Sequence, residues 1–252
     1  MPSIPSTLLS LCTLLAGYLT ARCITDPSSK LTSTTTTSKS KSTVKAKAKI
    51  TDRIYYLTTT PAVLGTYFSV VVTLYQSLIT LFSSALPSAF DEEVLSHLLL
   101  YPSHLNPSRV SWNISTISSL SLIFVGAAIR LSAYGNLGRN FTFQLSTPDR
   151  LITDGVYAYL QHPSYTGLLT IGAGCAGFFG GRGDGAIFCL VPGGIVGLLR
   201  EWELFLGILA VVGSGVVIGV RIRDEERMLK GRFGRRWEEW HARTARLVPF
   251  VM

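Results

Sequence analysis

The sequence predicts an all-α protein, a polytopic transmembrane helical bundle with a C-terminal helical hairpin and an amphipathic cytosolic tail helix. Three observations support this fold class. Of the 252 residues, 47% are hydrophobic and only 15% are charged, and the mean hydropathy is +0.36. A soluble domain carries about 25% charged residues, so much of this surface is expected to face lipid. Helices are the expected spanning elements because lipid offers no partner to free backbone groups.

The N-terminal part predicts an anchor followed by a linker. The first apolar run, Ile4 to Leu19, has no basic segment before it. It therefore predicts a short span or anchor within residues 1–24 rather than a signal peptide. Residues 25–53 are rich in Ser, Thr and Lys. They predict a disordered linker, because such a composition buries too little apolar surface to fold.

Four longer apolar regions follow, at 54–86, 112–134, 164–199 and 204–220. Because a helix needs about 20 apolar residues to cross a bilayer, residues 54–134 predict two transmembrane helices with a non-cytosolic loop. Residues 135–252 predict a catalytic region with a terminal transmembrane hairpin and a cytosolic tail. The polar group Arg200, Glu201 and Glu203 is expected at the far turn of this hairpin. The glycines expected to let helices approach closely are Gly172, Gly174, Gly177, Gly180, Gly181, Gly213, Gly215 and Gly219.

The charge pattern predicts the orientation in the membrane. The net charge is +8, and the linker and the C-terminal segment hold most of the Lys and Arg residues. The loop at 87–110 contains Asp91, Glu92 and Glu93, with Arg109 as its only Lys or Arg. By the positive-inside rule the linker and the C-terminus are cytosolic and the loop lies on the other side. The basic charge is thus interpreted as lipid contact, and no nucleic-acid partner is expected, because no base-reading motif accompanies it.

The cysteines predict neither a metal site nor a disulfide scaffold. They form no CxxC pair and have no clustered histidines; they are Cys12, Cys23, Cys175 and Cys189. Packing between helices is the expected role of such isolated cysteines, three of which lie in or beside apolar runs.

The tail at 221–245 has a helical pattern in which one apolar stripe contains a carboxylate. The residues of this stripe are Ile222, Glu226, Leu229, Phe233, Trp237 and Trp240. The remaining faces are crowded with arginine, which is typical of a helix lying on an anionic leaflet. The two tryptophans are expected at the membrane interface.

Two segments carry chemistry-bearing side chains. The first is GVYAYLQHPSYTG, residues 155–167, and the second is RIRDEE, residues 221–226. Pro163 suits the first turn of a helix, so His162 is expected at the cytosolic end of a span. The second segment lies at the cytosolic exit of the last span. If the hairpin closes, an imidazole, tyrosines, carboxylates and guanidiniums meet at one membrane surface.

Each segment also has a simpler interpretation. His162 and Pro163 could merely end a helix, and three tyrosines could belong to the aromatic belt of the interface. Arg221 and Glu225 stand at i and i+4, where an exposed pair contributes only about 0.3–0.5 kcal/mol. The two segments in this order, with a consistent topology between them, favour the functional interpretation.

These two segments resemble the signature of protein-S-isoprenylcysteine O-methyltransferases. That family carries G-x-Y-x-x-x-R-H-P-x-Y-x-G, then R-x-x-x-E-E, an F-G pair and an amphipathic C-terminal tail. The resemblance covers residues 135–250, slightly under half of the chain. One position departs from it, because Gln161 stands where the family has arginine.

The resemblance implies an endoplasmic reticulum membrane enzyme with several spans, whose active site faces the cytosol and binds S-adenosyl-L-methionine. The implied partners are the lipid bilayer and the prenylated C-terminal cysteine of proteins such as small GTPases. Arg221 would hold the substrate carboxylate, with Glu225 and Glu226 as further catalytic residues. The implied cofactor contacts are Gln144, Leu151, Ile152, Tyr157, His162, Pro163, Ser164, Tyr165 and Glu225.

The chemistry of this reaction suits these residue types. The nucleophile is a C-terminal carboxylate, whose ordinary pKa of about 3.3–3.7 leaves it ionised at pH 7 without a general base. A guanidinium can hold it through two parallel hydrogen bonds. Aromatic rings can flank a cationic sulfonium, and apolar helix surfaces suit a prenyl chain.

Three other functions remain open at this point. Phospholipid N-methyltransferases share the His-Pro-x-Tyr-x-Gly and Glu-Glu elements, but their amine nucleophile must lose a proton. Membrane sterol or steroid reductases that use NADPH have similar C-terminal halves; the Glu225-Glu226 pair argues against them, because a 2′-phosphate prefers arginines without carboxylates beside them. A non-enzymatic membrane adaptor would explain the basic tail but not the segment from His162 to Gly167.

Overall fold

The computed structural model describes residues 4–25, 55–85, 99–141, 147–180 and 184–248. Within these ranges the chain forms six α-helices and no strand, so the predicted all-α class is confirmed. The helices are α1 (Ile4–Ile24), α2 (Tyr55–Ala85), α3 (Ile114–Leu137), α4 (Pro163–Phe179), α5 (Gly193–Phe233) and α6 (Arg235–His241). Short 3-10 turns cover Pro102–His104, Pro107–Val110, Gly138–Asn140, Gly155–Ala158 and Ala186–Leu190. Apart from Thr25, the predicted linker at 25–53 lies outside the described residues, as do Asp91, Glu92 and Glu93.

Three helices, α1, α3 and α5, are long and apolar enough to cross a membrane, and residues 67–82 of α2 form a shorter apolar stretch. The first span, predicted from Ile4 to Leu19, is therefore a 21-residue helix. The Ser10 and Ser77 hydroxyls are 2.6 Å apart, and Gly17 packs on Thr73. These contacts make α1 and α2 antiparallel.

The chain ends of the helices alternate between two faces of the bundle. Trp112, just before α3, donates to the Pro5 carbonyl at the start of α1, whereas Arg130, late in α3, reaches Cys23 at the end of α1. Helices α1 and α3 are therefore parallel to each other. The end of the bundle that contains the C-termini of α1 and α3 and the N-terminus of α4 is called the site end. The opposite end of the bundle is called the far end.

Glycines bring α3 and α4 into very close contact. A Cβ placed on Gly167 would lie 2.6 Å from the Gly126 carbonyl oxygen, and one on Gly126 would lie 2.8 Å from the Gly167 carbonyl oxygen. Gly174 meets the Ser119 carbonyl in the same way at 2.7 Å. Gly177 packs on the Ser119 side chain. The predicted role in close approach is thus confirmed for Gly174 and Gly177.

The prediction is wrong for the other described glycines of the apolar helices. Gly172, Gly213, Gly215 and Gly219 have open space where a Cβ would stand. The last three belong to α5, in which residues 197–216 are exposed and residues 217–219 are half-buried. This part of α5 stands apart from the bundle in the described structure, so its glycines have no neighbouring helix to approach.

The chain reverses between the end of α4 at Phe179 and the start of α5 at Gly193, so the far turn of the hairpin is not at Arg200–Glu203 as predicted. Helix α5 begins at Gly193, after Pro192, and continues unbroken for 41 residues, so the polar group lies inside it. At the far turn Asp184 pairs with Arg109 at 3.0 Å and accepts a hydrogen bond from Asn106 at 3.2 Å. These polar contacts, rather than the charges within α5, tie the turn to the 99–113 segment.

The tail does not continue as one helix along the membrane. Gly234 has φ 53°, a left-handed conformation that ends α5, and the chain reverses into α6. Trp237 and Trp240 are consequently 5% and 4% exposed, and they pack in an apolar cluster with Tyr157, Ile152 and Ala133. The prediction that these tryptophans lie at the membrane interface is therefore wrong, because the turn directs them onto the protein.

We expect Gly167→Ala to destabilise the bundle by about 1–3 kcal/mol, because the new methyl group would overlap backbone atoms of α3, which cannot move independently. Gly172→Ala on the same helix is the matched control, since open space surrounds it. Thermal unfolding of the detergent-solubilised protein measures both. Equal melting temperatures for the two variants would contradict the described packing.

Candidate active site

His162 is held at the entry of α4 by the local sequence. Gly155 has φ 60°, which lets the chain turn into the Gly155–Ala158 segment. Pro163 then begins α4 as its first residue. The backbone N–H of His162 donates to the Arg246 carbonyl at 3.1 Å, and the side chain is buried, with 4% exposure. The imidazole is therefore fixed at the site end by both of its neighbouring segments.

Two consecutive carboxylates from α5 meet this imidazole. Glu226 Oε1 lies 3.4 Å from His162 Nε2, and Glu225 Oε2 lies 3.8 Å from His162 Nδ1. The Tyr165 hydroxyl donates to Glu225 Oε2 at 3.2 Å. The predicted meeting of the 155–167 and 221–226 segments at one end of the bundle is thus observed.

Arg221 and two tyrosines complete the group. Arg221 is 7% exposed and interacts with the Tyr165 side chain. Burial raises the pKa of the Tyr157 phenol, and the nearby Glu225 carboxylate raises it further. Tyr157 is therefore a neutral hydroxyl donor at pH 7. Arg223, two residues beyond Arg221, is exposed, as the helical spacing predicts.

The remaining predicted cofactor residues have different surroundings. Ile152 is buried in the cluster with Trp237 and Trp240, and Leu151 packs against that cluster. Pro163 is fully buried at the start of α4. Ser164 accepts hydrogen bonds from Arg130. Gln144 lies outside the described residues.

The C-terminal segment 241–247, called the strap below, crosses the His162 segment. Gln161 N donates to the Ala245 carbonyl at 2.8 Å, and the Thr166 hydroxyl donates to the Leu247 carbonyl at 2.6 Å. An isolated parallel bridge pairs Leu160 with Ala245. The backbone of the strap therefore forms one wall beside the predicted cofactor residues.

The Gln161 side chain fixes this strap. Its amide N–H groups donate to the carbonyls of His241, at 3.0 Å, and of Thr244. The amide oxygen is then left to accept, and His241 Nδ1 lies 2.7 Å from it. Burial lowers the pKa of His241, so the ring is neutral at pH 7 and carries its proton on Nδ1. The glutamine that stands here in place of the family's arginine is thus a buried tether for the tail.

Two functional candidates escaped the sequence analysis. Arg246 of the strap reaches Glu226, with Nε 3.3 Å from Oε1, the same carboxylate oxygen that His162 Nε2 approaches. Arg130 is 5% exposed inside α3. A charged residue within an apolar span is itself a signal of function, and that signal could have identified Arg130. Nothing in the local sequence around Arg246 predicts its contact.

The arrangement can bind a ligand that carries one positive and one negative group. Glu225 offers a partly exposed carboxylate, and Arg221 offers a guanidinium nearby. Among the described residues, His162 Nδ1 is a buried atom without a hydrogen-bond partner. Such an atom is costly to leave unpaired, and a polar group of a bound ligand between His162 and Glu225 would satisfy it.

The family model and the relatives that match this chain carry the same family description. Residues 119–180 match the sequence model of the isoprenylcysteine carboxyl methyltransferase (ICMT) family. Protein-S-isoprenylcysteine O-methyltransferase B of Arabidopsis thaliana is 28% identical over 163 residues, which cover 63% of this chain and 69% of the relative. The Schizosaccharomyces pombe protein-S-isoprenylcysteine O-methyltransferase is 26% identical over 157 residues, 61% of this chain and 56% of the relative. The human protein-S-isoprenylcysteine O-methyltransferase is 25% identical over 147 residues, which cover 57% of this chain and 43% of the relative. The predicted resemblance is confirmed.

We expect Gln161→Ala to loosen the strap, because it removes the amide that bonds His241 and Thr244. The loss of these buried bonds should cost about 1–3 kcal/mol. Limited trypsin digestion in nanodiscs should then cleave faster at Arg243 and Arg246. Arg235→Ala is the control, because its pair with Glu239 is exposed and contributes little. Wild-type cleavage rates in Gln161→Ala would contradict the tether.

Proposed function

We propose that this chain, whose residues 119–180 match the isoprenylcysteine carboxyl methyltransferase family, transfers a methyl group from S-adenosyl-L-methionine to the C-terminal carboxylate of a prenylated cysteine. The observation that carries the proposal is the convergence of His162, Tyr165, Glu225 and Glu226 at the site end, with Arg221 beside Tyr165. This group combines a carboxylate-binding cation with acceptors for a cationic cofactor at the membrane surface.

The donor and acceptor set fits S-adenosyl-L-methionine. Glu225 can accept from the ammonium or ribose hydroxyls, and the unpaired Nδ1 of His162 can bond a further polar group. The rings of Tyr165 and His162 lie 5.9 Å apart and present aromatic faces for the sulfonium or the adenine. Further contacts are assigned to Tyr157, Pro163 and Ser164, to Leu151 and Ile152, and to Gln144. When bound, this cofactor supplies an electrophilic methyl group.

The chain's own residues then position the acceptor carboxylate. Arg221 would hold it through the planar guanidinium and leave a lone pair of one oxygen directed at the methyl group that the cofactor would supply; the O–CH3 bond would form as the S–CH3 bond broke, with the neutral thioether as leaving group. No base is required, because the carboxylate is ionised at pH 7. Burial of Arg221 and His162 excludes water, which strengthens the charge interaction and prevents hydrolysis of the cofactor.

Glu226 is assigned to hold the imidazole. It lies between His162 and Arg246, so its charge is balanced by the strap and its position fixes the ring. We therefore regard Glu226 as acting through His162, whereas Glu225 and Arg221 contact cofactor and substrate.

The prenyl chain is proposed to lie along the apolar surface of α5. Residues 204–220 of this helix are apolar apart from Ser214, and they are exposed except for the half-buried residues 217–219. They lead directly to Arg221. Transfer of a prenyl chain from water into this apolar region contributes about 0.8 kcal/mol per buried methylene. Prenylated proteins such as small GTPases are the proposed substrates.

The membrane arrangement follows the same proposal. The protein lies in the endoplasmic reticulum membrane, with the site end facing the cytosol. Residues 1–24 and 54–134 supply the first spans, residues 25–53 form the linker, and residues 135–252 form the catalytic region. Arg22, Arg150 and the basic residues from 221 to 246 all lie at the site end. The positive-inside rule supports this orientation.

Transfer of labelled methyl from S-adenosyl-L-methionine to farnesylcysteine tests the function and the role of Arg221 together. We expect wild type to label farnesylcysteine and not phosphatidylethanolamine. Arg221→Lys keeps the charge but loses the planar fork, so kcat/KM for farnesylcysteine should fall by about one to two decades. Cofactor affinity should be retained.

Arg223→Lys is the matched control, because Arg223 is exposed two residues further along the same helix. It should keep wild-type activity. Sensitivity of Arg223 with tolerance of Arg221 would overturn the assignment of the carboxylate clamp. Labelling of phosphatidylethanolamine instead of farnesylcysteine would sink the proposed function itself.

We expect a C-terminal tag to be accessible to protease in sealed microsomes, because the strap lies at the cytosolic site end. A tag placed between residues 99 and 112 should be protected, since this segment lies at the far end. Protection of the C-terminal tag would reverse the proposed orientation.

A further inference from the structure

Arg130 is a buried charge that the proposed reaction does not use. It lies within α3, a helix long and apolar enough to cross the membrane, and it is 5% exposed. A guanidinium in such surroundings is costly unless it is fully hydrogen-bonded, so its partners reveal what it is retained for.

The partners of Arg130 are the ends of two other helices. Nε donates to the Cys23 carbonyl at 2.7 Å, in the last turn of α1. Nη1 donates to the Ser164 carbonyl at 2.7 Å and to the Ser164 hydroxyl at 2.9 Å, in the first turn of α4. A helix C-terminus has carbonyls without intrahelical partners and a partial negative charge, so a guanidinium there is well placed.

The backbone on either side leaves Arg130 little freedom. A Cβ on Gly167 would lie 2.8 Å from the Arg130 Cβ, so α4 passes directly against this residue. The guanidinium also lies over the Tyr134 ring, 5.3 Å from its centroid. Tyr134 in turn donates its hydroxyl to the same Cys23 carbonyl at 2.5 Å. One carbonyl of α1 is therefore bound by two donors of α3, and the Arg130 guanidinium also donates to Ser164 of α4.

We propose that Arg130 is a positioning residue of the cofactor site, which fixes Ser164 and the first turn of α4 against the end of α1. This inference rests on the proposed function and deepens it. Arg130 acts through Ser164, next to Pro163 and one residue before Tyr165, and it makes the first helix of the chain part of the catalytic unit. Two different nitrogens of the guanidinium make these bonds, one to each helix end, whereas a lysine would offer a single nitrogen for both.

The experiment compares Arg130→Lys with Tyr134→Phe in nanodiscs. Tyr134→Phe removes the other hydrogen bond to the Cys23 carbonyl but keeps the ring and the bonds from Arg130 to Ser164. Affinity for S-adenosyl-L-methionine is measured by titration well below the melting temperature, alongside thermal unfolding and the KM for farnesylcysteine. We expect about tenfold weaker cofactor binding in Arg130→Lys, with an unchanged KM for farnesylcysteine. Tyr134→Phe should bind the cofactor like wild type, although both variants melt earlier.

Wild-type cofactor affinity in folded Arg130→Lys would overturn the proposal. If Arg130→Lys does not fold, Arg130→Gln takes its place, because an amide can still donate to one of the two helix ends. Failure of both to fold, while Tyr134→Phe folds, would show a purely structural role and also overturn it. Absence of cofactor binding by wild type would instead refute the proposed function, so the two failures are distinguishable.

Discussion

Because Gly126 and Gly167 have no side chains, α3 and α4 approach until each backbone touches the other, and the rest of the site end depends on this contact. The close approach brings the start of α4 beside Arg130 and allows a short guanidinium bridge to Ser164. In lipid, where burial of apolar surface gives no advantage over the bilayer, such packing and hydrogen bonding must hold helices together. The position of His162 depends on the same contact, because His162 immediately precedes the first residue of α4.

Helical periodicity and charge were sufficient to predict the all-α class and the meeting of the 155–167 and 221–226 segments. Each apolar run implied a helix, and the basic ends implied which ends share a face. Because successive spans cross in opposite directions, this pattern predicts that His162 and the Glu225–Glu226 pair lie at the same end of the bundle. The prediction succeeded because spans admit only two directions, so the order of the segments largely determines which of them meet.

Other features depend on contacts that no local pattern encodes. The apolar stripe containing Trp237 and Trp240 suits a lipid surface and a protein core equally well, and the left-handed turn at Gly234 decides between them. Arg200 and the two glutamates after it looked like a turn because charges usually end a span. In the structure, the proline and polar contacts before α5 provide the turn. The pairing of Gln161 with His241 joins residues 80 positions apart, which hydropathy cannot reveal.

The site can be completed only after the strap has been synthesised, because the strap follows the last described span. This late segment supplies Arg246 to Glu226 and a backbone wall beside His162. A ribosome still translating the final helix has therefore inserted the spans but has not released a complete site. Chains that terminate early would enter the membrane with Glu226 lacking this cationic partner and the buried Gln161 amide lacking its carbonyls. Buried polar groups are costly to leave unpaired, so a copy truncated before the strap is expected to have a less ordered site end.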